Sequence, residues 1–310
     1  MTDTPKSLQV GVMSGFADPQ SARDTVETAE KLGFDSLWVG DHVAFPVPIL
    51  DSLVQLALAA AYTTRLTLGT CVYLLPLRHP TLVAKQAGTL DRMLSGRLVM
   101  GVGVGGEFPN EYRACGVPAE ERGARLSEAI GVLKALWTGD SVSLSGQFYS
   151  FEDVQMLPAP AQPGGPPIWC GGRSEAALRR AGGLADGYIS YAVDPAMFAT
   201  AMQTIERTAA AQDRDLAKFA RGHMLFVRID DRYEDAHRHA SEHLSRRYAM
   251  DFSRPARKYG ALGAPQEVAE QIERYREVGV QHIVLDLVGP MRDRNEQLTR
   301  FSEEVRPLLR

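Results

Sequence analysis

Several features are scarce in this sequence, and each absence excludes a class of protein. The 310 residues include only three cysteines, an odd number, with no metal-ligand spacing: Cys71, Cys115 and Cys170. This argues against a disulfide-stabilised secreted fold and favours a reducing, cytoplasmic compartment. No apolar run approaches the roughly 20 residues that a transmembrane helix needs. The polar segment Met1–Ser7 lacks the basic and apolar stretches of a signal peptide, so no membrane association is expected.

An excess of basic residues is also missing. Lys and Arg number 34 against 38 Asp and Glu, which gives a formal net charge of −4. A nucleic-acid partner is therefore not expected, and a small-molecule substrate is. The hydrophobic content of 45% and the charged content of 23% are ordinary for a globular protein. The length suits one large α/β unit, and we predict a single domain over residues 1–310.

What the chain does have is a regular alternation of strand and helix patterns. Eight strands are predicted, at 8–13, 35–39, 66–73, 97–103, 167–171, 187–190, 223–229 and 282–287. A helix follows each strand, the first of them with Ser21 as a plausible cap. A hairpin is predicted over Ser141–Phe151, and a polar helix with an irregular basic connection forms an insertion at 232–263. This order predicts an α/β fold, specifically a (β/α)8 TIM barrel with insertion segments.

The most informative stretch is Arg97–Glu111, RLVMGVGVGGEFPNE. A buried strand that runs into glycines brings bare backbone close to a large or charged group, and Glu107 follows at once. We interpret the stretch as a barrel strand whose glycines form the floor of a cofactor site. Two alternatives remain: tight packing alone, and the dinucleotide fingerprint G-x-G-x-x-G of a Rossmann domain. The fingerprint requires a helix at its third glycine, whereas a proline-containing loop is predicted after Gly106.

Barrel enzymes carry their chemistry at the carboxyl ends of the strands. The side chains and glycines predicted there are Ser14, Asp41, His42, Thr70, Cys71, Val72, Gly105, Glu107, Asn110, Gly171, Gly172, Arg173, Ser174 and Tyr191. His42 and Glu107 are the candidate catalytic residues, because imidazole and carboxyl groups are the usual proton carriers. Asp41 is expected to orient the His42 ring or to bond a cofactor. Cys71 has no neighbouring base or cation in the sequence and is not proposed as a nucleophile.

A second glycine-rich turn, Gly171–Ala176, leaves the fifth predicted strand and enters a helix. Ser174 can cap that helix, and Arg173 lies at its beginning. The free N–H groups and the dipole of a helix N-terminus favour a phosphate group, although an ordinary capped turn would have the same sequence. No metal site is predicted.

Five segments together resemble the bacterial luciferase-like family of flavin- and deazaflavin-dependent oxidoreductases. They are SLWVGDHV (36–43), LGTCVYLLPLRHPTLVAKQAGTLDRMLSGRLVMGVGVGGE (68–107), CGVPAEERGARLSEAI (115–130), PPIWCGGRSEAALRRA (166–181) and GAPQEVAEQIERYREVGVQHIVL (263–285). They occur in the family's order along nearly the whole chain, and the likeness is closest to the branch that uses coenzyme F420. This implies a hydride-transferring, F420-dependent oxidoreductase acting on a small organic substrate. The alternative is an FMN-dependent monooxygenase that uses O2 and is supplied by a separate reductase.

The resemblance also assigns residues. It implies that His42 and Glu107 are the acid and base, and that a non-prolyl cis peptide joins Cys71 and Val72 below the ring. It implies coenzyme contact by Asp41, Cys71, Val72, Asn110, Gly172, Arg173, Ser174, Glu175 and Ala176. Thr70, Gly105 and Gly106 join the predicted coenzyme-binding residues because they lie at the ends of the third and fourth strands. Leu74 and Leu75 replace a Thr-Pro pair of the family, and the lysines that hold a sugar phosphate are not found. Glucose 6-phosphate is therefore not the expected substrate. The resemblance also implies a homodimer, because dimers are common in the family.

Overall fold

Parallel strands form a closed barrel at the centre of the molecule, as the order of strand and helix signals predicted. The structure is a computed structural model and describes residues 8–106 and 108–309. Its strands are β1 Gln9–Met13, β2 Ser36–Val39, β3 Thr67–Thr70, β4 Leu98–Val102, β5 Ser141–Ser145, β6 Ser150–Gln155, β7 Ile168–Gly171, β8 Gly187–Tyr191, β9 Ala220–Ile229, β10 Gly260–Gly263 and β11 His282–Leu287. The barrel runs β1-β2-β3-β4-β7-β8-β9-β11 and closes on β1, which confirms the predicted fold class and excludes the Rossmann alternative.

Helices cover the outside of the barrel. They are α1 Pro19–Lys31, α2 Ser52–Ala60, α3 Pro80–Met93, α4 Pro109–Ala114, α5 Arg122–Leu136, α6 Glu175–Leu184, α7 Pro195–Ala210, α8 Tyr233–Tyr248, α9 Ser253–Tyr259, α10 Pro265–Glu277 and α11 Arg294–Arg300. The predicted cap of the first helix was wrong, since Asp18 is the N-cap and accepts from Ser21 N at 2.8 Å. Ser21 Oγ accepts from Asp18 N in return, so Ser21 is the second member of a capping box.

Two segments differ from the prediction. The stretch after Gly106 was expected to be a loop, but its proline starts the short helix α4, where the missing N–H costs nothing. The connection at 250–263 was expected to be irregular, but it forms α9 and then β10, which adds to the edge of β9. The hairpin predicted over Ser141–Phe151 is present as β5 and β6 and extends to Gln155.

The interior of the barrel is filled at the end where the strands begin. The rings of Trp38 and Trp169 lie 5.1 Å apart, and His282 presents an edge to both. Glycines on neighbouring strands make room for them, since a Cβ at Gly69 would lie 2.5 Å from Trp38 and one at Gly187 2.6 Å from Trp169. This end is therefore closed by side chains, and the opposite end remains for chemistry.

None of the helices within residues 8–106 and 108–309 combines the length and the apolar character needed to cross a lipid bilayer.

Candidate active site

His42 lies just beyond β2, where its imidazole is held by a buried carboxylate from another part of the chain. Its Nδ1 is 3.2 Å from Glu111 Oε1 and 3.1 Å from Glu111 Oε2. Glu111, on α4, is 1% exposed, whereas the His42 side chain is 20% exposed. Glu111 was not among the residues predicted for the site. Its only sequence signal is its place next to Asn110, in a segment whose pattern predicts a loop.

Aromatic rings fix the orientation of this imidazole. Phe45 stacks on His42 with ring centroids 4.0 Å apart and an interplanar angle of 14°. Phe108 meets the His42 ring edge-on at 5.7 Å. Within the described residues, Nε2 of His42 has no hydrogen-bond partner. The ring therefore has one nitrogen engaged and the other available at the end of the barrel.

Asp41, the neighbour of His42, is 3% exposed and already engaged. Arg78 binds its two carboxylate oxygens at 2.5 and 2.9 Å. Ser52 Oγ donates to Asp41 Oδ1 at 3.0 Å, and Leu74 N donates to Oδ2 at 2.9 Å. Asp41 thus joins the loop after β2 to the loop after β3. Contact with a coenzyme stays a prediction for this residue.

The loop after β3 contains the predicted cis peptide between Cys71 and Val72. Thr70 is fully buried, and its Oγ1 donates to Gly101 O at 2.7 Å. The Val72 side chain lies against the glycines of two other strands. A Cβ at Gly103 would lie 2.5 Å from Val72 Cγ2, and one at Gly171 would lie 2.8 Å from Val72 Cγ1.

The glycines after β4 are also closely approached by side chains. A Cβ at Gly105 would lie 2.9 Å from Leu74, and one at Gly106 would lie 3.3 Å from Arg122. Both glycines adopt positive φ, 61° and 110°, which other residues rarely adopt. Close packing therefore accounts for these glycines by itself, and their role as the floor of a cofactor site stays a prediction.

Cys71 faces the interior of the barrel, with its Sγ 3.8 Å from Met224 Sδ. Burial, together with the nearby negative charge of Asp286, raises the pKa of the Cys71 thiol to about 12. The thiol is therefore protonated at neutral pH and is a poor nucleophile. With Met13, Val72 and Tyr191, Cys71 forms a half-buried apolar surface above the tryptophans.

The second glycine turn lies at the same end of the barrel, after β7. Gly172 through Ala176 are exposed, and Ser174 caps α6 by accepting from Ala177 N at 3.3 Å. The Arg173 guanidinium donates to Ala192 O at 3.2 Å, and Glu175 pairs with Arg179 on the helix surface. The N-terminus of α6 is thus open to a ligand, as the phosphate-binding interpretation requires.

An ion pair that the sequence did not predict, between Asp286 and Arg247, lies at the same end of the barrel. Asp286 projects from β11, is 4% exposed and binds Arg247 of α8 at 2.5 and 3.2 Å. Arg247 also donates to His243 Nε2 at 2.9 Å. The positive charge of Arg247 keeps the pKa of Asp286 below its usual value despite burial. The only sequence signal was a carboxylate inside the apolar run IVLDL.

The structure therefore brings together the ends of β2, β3, β4 and β7, where most of the predicted site residues lie. Asn110 is exposed in the first turn of α4, where its Oδ1 accepts from Arg113. Glu107, the second predicted catalytic residue, lies outside the described residues. Among residues 8–106 and 108–309, no cluster of three or more His, Cys, Asp or Glu side chains could hold a metal ion.

Comparison with known proteins identifies the family. Residues 3–282 match the family model described as luciferase-like monooxygenase, and the chain belongs to this family. The resemblance seen in the sequence is thereby confirmed.

Individual relatives differ in how much of the chain they share. An uncharacterized protein of Mycobacterium tuberculosis is 37% identical over 189 residues, 54% of this chain and 64% of that protein. The chain thus spans less than two thirds of that relative. An F420-dependent glucose-6-phosphate dehydrogenase of Amycolatopsis mediterranei is 30% identical over 336 residues, 98% of this chain and 99% of that enzyme.

A solved structure shows the same fold. An F420-dependent secondary alcohol dehydrogenase, in complex with an F420-acetone adduct, superposes with a TM-score of 0.86. The match covers 98% of this chain and 99% of that one at 22% identity, which supports the fold alone.

Proposed function

We infer that this protein is an F420-dependent oxidoreductase that transfers a hydride between the coenzyme and a carbon atom of a small organic substrate. The observation that carries the proposal is the His42 imidazole, fixed at Nδ1 and available at Nε2 at the same end of the barrel as an apolar surface. Such a nitrogen can take or give the proton that accompanies oxidation of an alcohol or reduction of a carbonyl. The deazaflavin ring, when bound, supplies the carbon that exchanges the hydride.

The residues present fit such a coenzyme. Cys71, Val72 and Met13 offer a half-buried apolar surface that suits a flat ring. The open N-terminus of α6, with Gly172 and Ser174, suits a phosphate group. The relative from Amycolatopsis mediterranei, similar along its entire length, is named for dependence on the same coenzyme.

Acid–base chemistry is favoured over covalent catalysis. The Cys71 thiol, at the same end of the barrel, is protonated because burial raises its pKa to about 12. The hydroxyl of Tyr188 donates to Gly172 O at 3.0 Å, and its pKa is also raised by burial. His42 is therefore the side chain best placed to move a proton, with Glu107 as its predicted counterpart.

The proposed substrate differs from the glucose 6-phosphate named for the Amycolatopsis enzyme. A sugar phosphate needs cations that are free to bind it, and two of the arginines at this end of the barrel are already paired with carboxylates. Arg247 binds Asp286, and Arg228 binds Asp230 and Asp293. A small alcohol or carbonyl compound without a phosphate group suits these surroundings better.

Coenzyme binding tests the proposal directly. The purified protein is titrated with F420 and, separately, with FMN, while its tryptophan fluorescence is followed. We expect quenching by F420, because Trp38 and Trp169 lie below the apolar surface. Binding of FMN but not of F420, with oxygen consumption when reduced flavin is supplied, would instead support the monooxygenase alternative with its separate reductase.

Two further expectations accompany this function. We propose a homodimer, in keeping with the family, and sedimentation velocity tests it. Apolar side chains such as Val54 and Leu82, which are 68% and 66% exposed, are candidates for the contact. A cytoplasmic location also stays a prediction, and cell fractionation tests it.

A further inference from the structure

The carboxylate of Glu111 is bound differently at its two oxygens. Oε1 accepts from Val43 N at 2.7 Å and from Ala44 N at 3.1 Å. Both oxygens lie close to His42 Nδ1, Oε1 at 3.2 Å and Oε2 at 3.1 Å. Oε1 thus holds the backbone after β2 and shares the imidazole with Oε2, whose hydrogen bond in the described structure is with the imidazole alone.

We propose that Glu111 is the positioning residue of His42. A carboxylate can only accept hydrogen bonds, so the proton between the two groups lies on Nδ1 of His42. Nε2 is then the nitrogen without a proton in the neutral ring, and it is the atom that exchanges protons with the substrate. This inference rests on the proposed function only for the identity of the substrate group that exchanges a proton with Nε2.

The reaction fixes what Nε2 must do in each direction. When an alcohol is oxidised, its hydroxyl proton passes to Nε2 of His42 while the hydride leaves the carbon for the coenzyme. When a carbonyl is reduced, Nε2 returns the proton to the oxygen as the hydride arrives. A neutral ring that is protonated at Nε2 and not at Nδ1 could not accept the alcohol proton, because its unprotonated nitrogen faces Glu111.

The surroundings of the ring keep the two nitrogens from exchanging places. Phe45 covers one face of His42, and Phe108 lies against it at a right angle. Rotation of the ring by half a turn would place a carbon atom against Glu111 and leave a buried carboxylate oxygen without its donor. The role of Glu111 therefore extends beyond support of the loop.

Glu111→Gln separates positioning from simple support of the backbone. The amide oxygen must take the place of Oε1, because Val43 N and Ala44 N both donate there. The amide nitrogen then takes the place of Oε2, 3.1 Å from His42 Nδ1, where its N–H group would conflict with a proton on Nδ1 and can donate to Nδ1 without one. The loop keeps its hydrogen bonds, and the proton of the neutral imidazole moves to Nε2.

Nitrogen-15 NMR of histidine-labelled protein reads this change without coenzyme or substrate. The chain contains seven histidines, so His42→Ala assigns the signal. We expect neutral His42 to be protonated at Nδ1 in the wild type and at Nε2 in Glu111→Gln. A wild-type ring protonated at Nε2 would overturn the proposal, even if the variant failed to fold.

Kinetics supply the second measurement. We expect Glu111→Gln to lower kcat roughly a hundred-fold or more, while the Kd of the coenzyme changes by less than about two-fold. Glu128→Gln is the matched control, because Glu128 also accepts from backbone N–H groups, those of Phe148 and Tyr149, and has no hydrogen bond to a histidine among the described residues. Its kcat should remain that of the wild type.

Different results would contradict the proposed function and the positioning role of Glu111. If the wild type neither binds F420 nor turns over with it, the proposed function fails, and the NMR experiment still decides which nitrogen carries the proton. If the wild type is active and Glu111→Gln keeps both its kcat and its tautomer, the positioning role is wrong and the proposed function stands.

Discussion

The imidazole of His42 is the side chain on which the proposed chemistry most depends. It contributes a proton carrier at the end of the barrel, whereas its contacts in the structure are with Glu111, Phe45 and Phe108. We therefore expect His42→Ala to lower kcat by roughly 10²- to 10⁴-fold and to leave the Kd of the coenzyme nearly unchanged. Steady-state kinetics and fluorescence titration measure the two quantities. Lost binding with an unaltered kcat would contradict the catalytic role.

The Cys71 thiol leads to a prediction about reactivity. Because burial raises its pKa to about 12, its thiolate is scarce at pH 8 in the folded protein. We expect iodoacetamide to leave Cys71 unmodified in native protein at pH 8 and to modify it rapidly in urea, as read by peptide mass spectrometry. Cys115, which is also half-buried and whose pKa burial also raises, is the internal comparison. Rapid native labelling of Cys71 would show that the thiol is more reactive than the structure implies.

At this scale the sequence located residues but not their partners. Asp41 and His42 were predicted at the end of a strand because barrel chemistry gathers there. Their partners, Arg78 and Glu111, lie 37 and 69 residues further along the chain. Whether two such side chains meet depends on the tertiary fold, which no local spacing encodes. The role of Glu107 stays a prediction made from the sequence.

Among the helices and strands, the barrel strands were predicted from the sequence, whereas three short elements that depend on their neighbours were not. The barrel strands were found because each is an apolar run bounded by turn residues. The missed elements α4, α9 and β10 have only six, seven and four residues, too few for a periodicity to stand out. Their formation depends on neighbours, as when β10 pairs with β9.

Helix α8 belongs to the insertion whose role the sequence did not reveal, and an ion pair with a buried carboxylate ties it to the barrel. Its Arg247 binds Asp286, a carboxylate whose side chain is 5% exposed. We expect Arg247→Met to lower the free energy of unfolding by about 3 to 5 kcal/mol, because it leaves a buried charge without its partner. Urea unfolding at pH 7 measures this loss.

A double variant separates the cost of an unpaired charge from the loss of an attraction. Arg247→Met combined with Asp286→Leu removes both charges and should be more stable than Arg247→Met alone. Arg238→Met is the control, because its pair with Asp235 lies on the exposed face of the same helix and should matter little. If the double variant were less stable than Arg247→Met, the burial argument would be wrong.

For the whole molecule, the alternation of strands and helices was sufficient to predict the closed barrel. A parallel strand needs a crossover to reach its neighbour, and eight such units in a row have few other arrangements. The side chains that pack inside the barrel could not be predicted in the same way. Trp38, Trp169 and His282 come from distant strands and meet only once the barrel has closed.

Two buried histidines, His282 inside the barrel and His223 between β9 and α10, imply a particular acid sensitivity. His223 and His282 are 0% and 6% exposed, and burial lowers their pKa values to about 3 and about 4. In the unfolded chain a histidine takes up its proton near pH 6.5. Between these values the unfolded state binds more protons than the folded state. Stability is therefore fully present above about pH 6.5 and falls as the pH drops, by about 1.4 kcal/mol per pH unit for each histidine.

Urea unfolding at pH 7, 6 and 5 measures this slope, and His223→Phe removes one contribution to it. Phenylalanine keeps a ring against Tyr275, which stacks on His223 at 4.2 Å, and it cannot take up a proton. We expect the slope below pH 6 to fall by about 1.4 kcal/mol per unit, whatever the variant's stability at pH 7. An unaltered slope in His223→Phe would mean that His223 is protonated as readily in the folded barrel as in the unfolded chain.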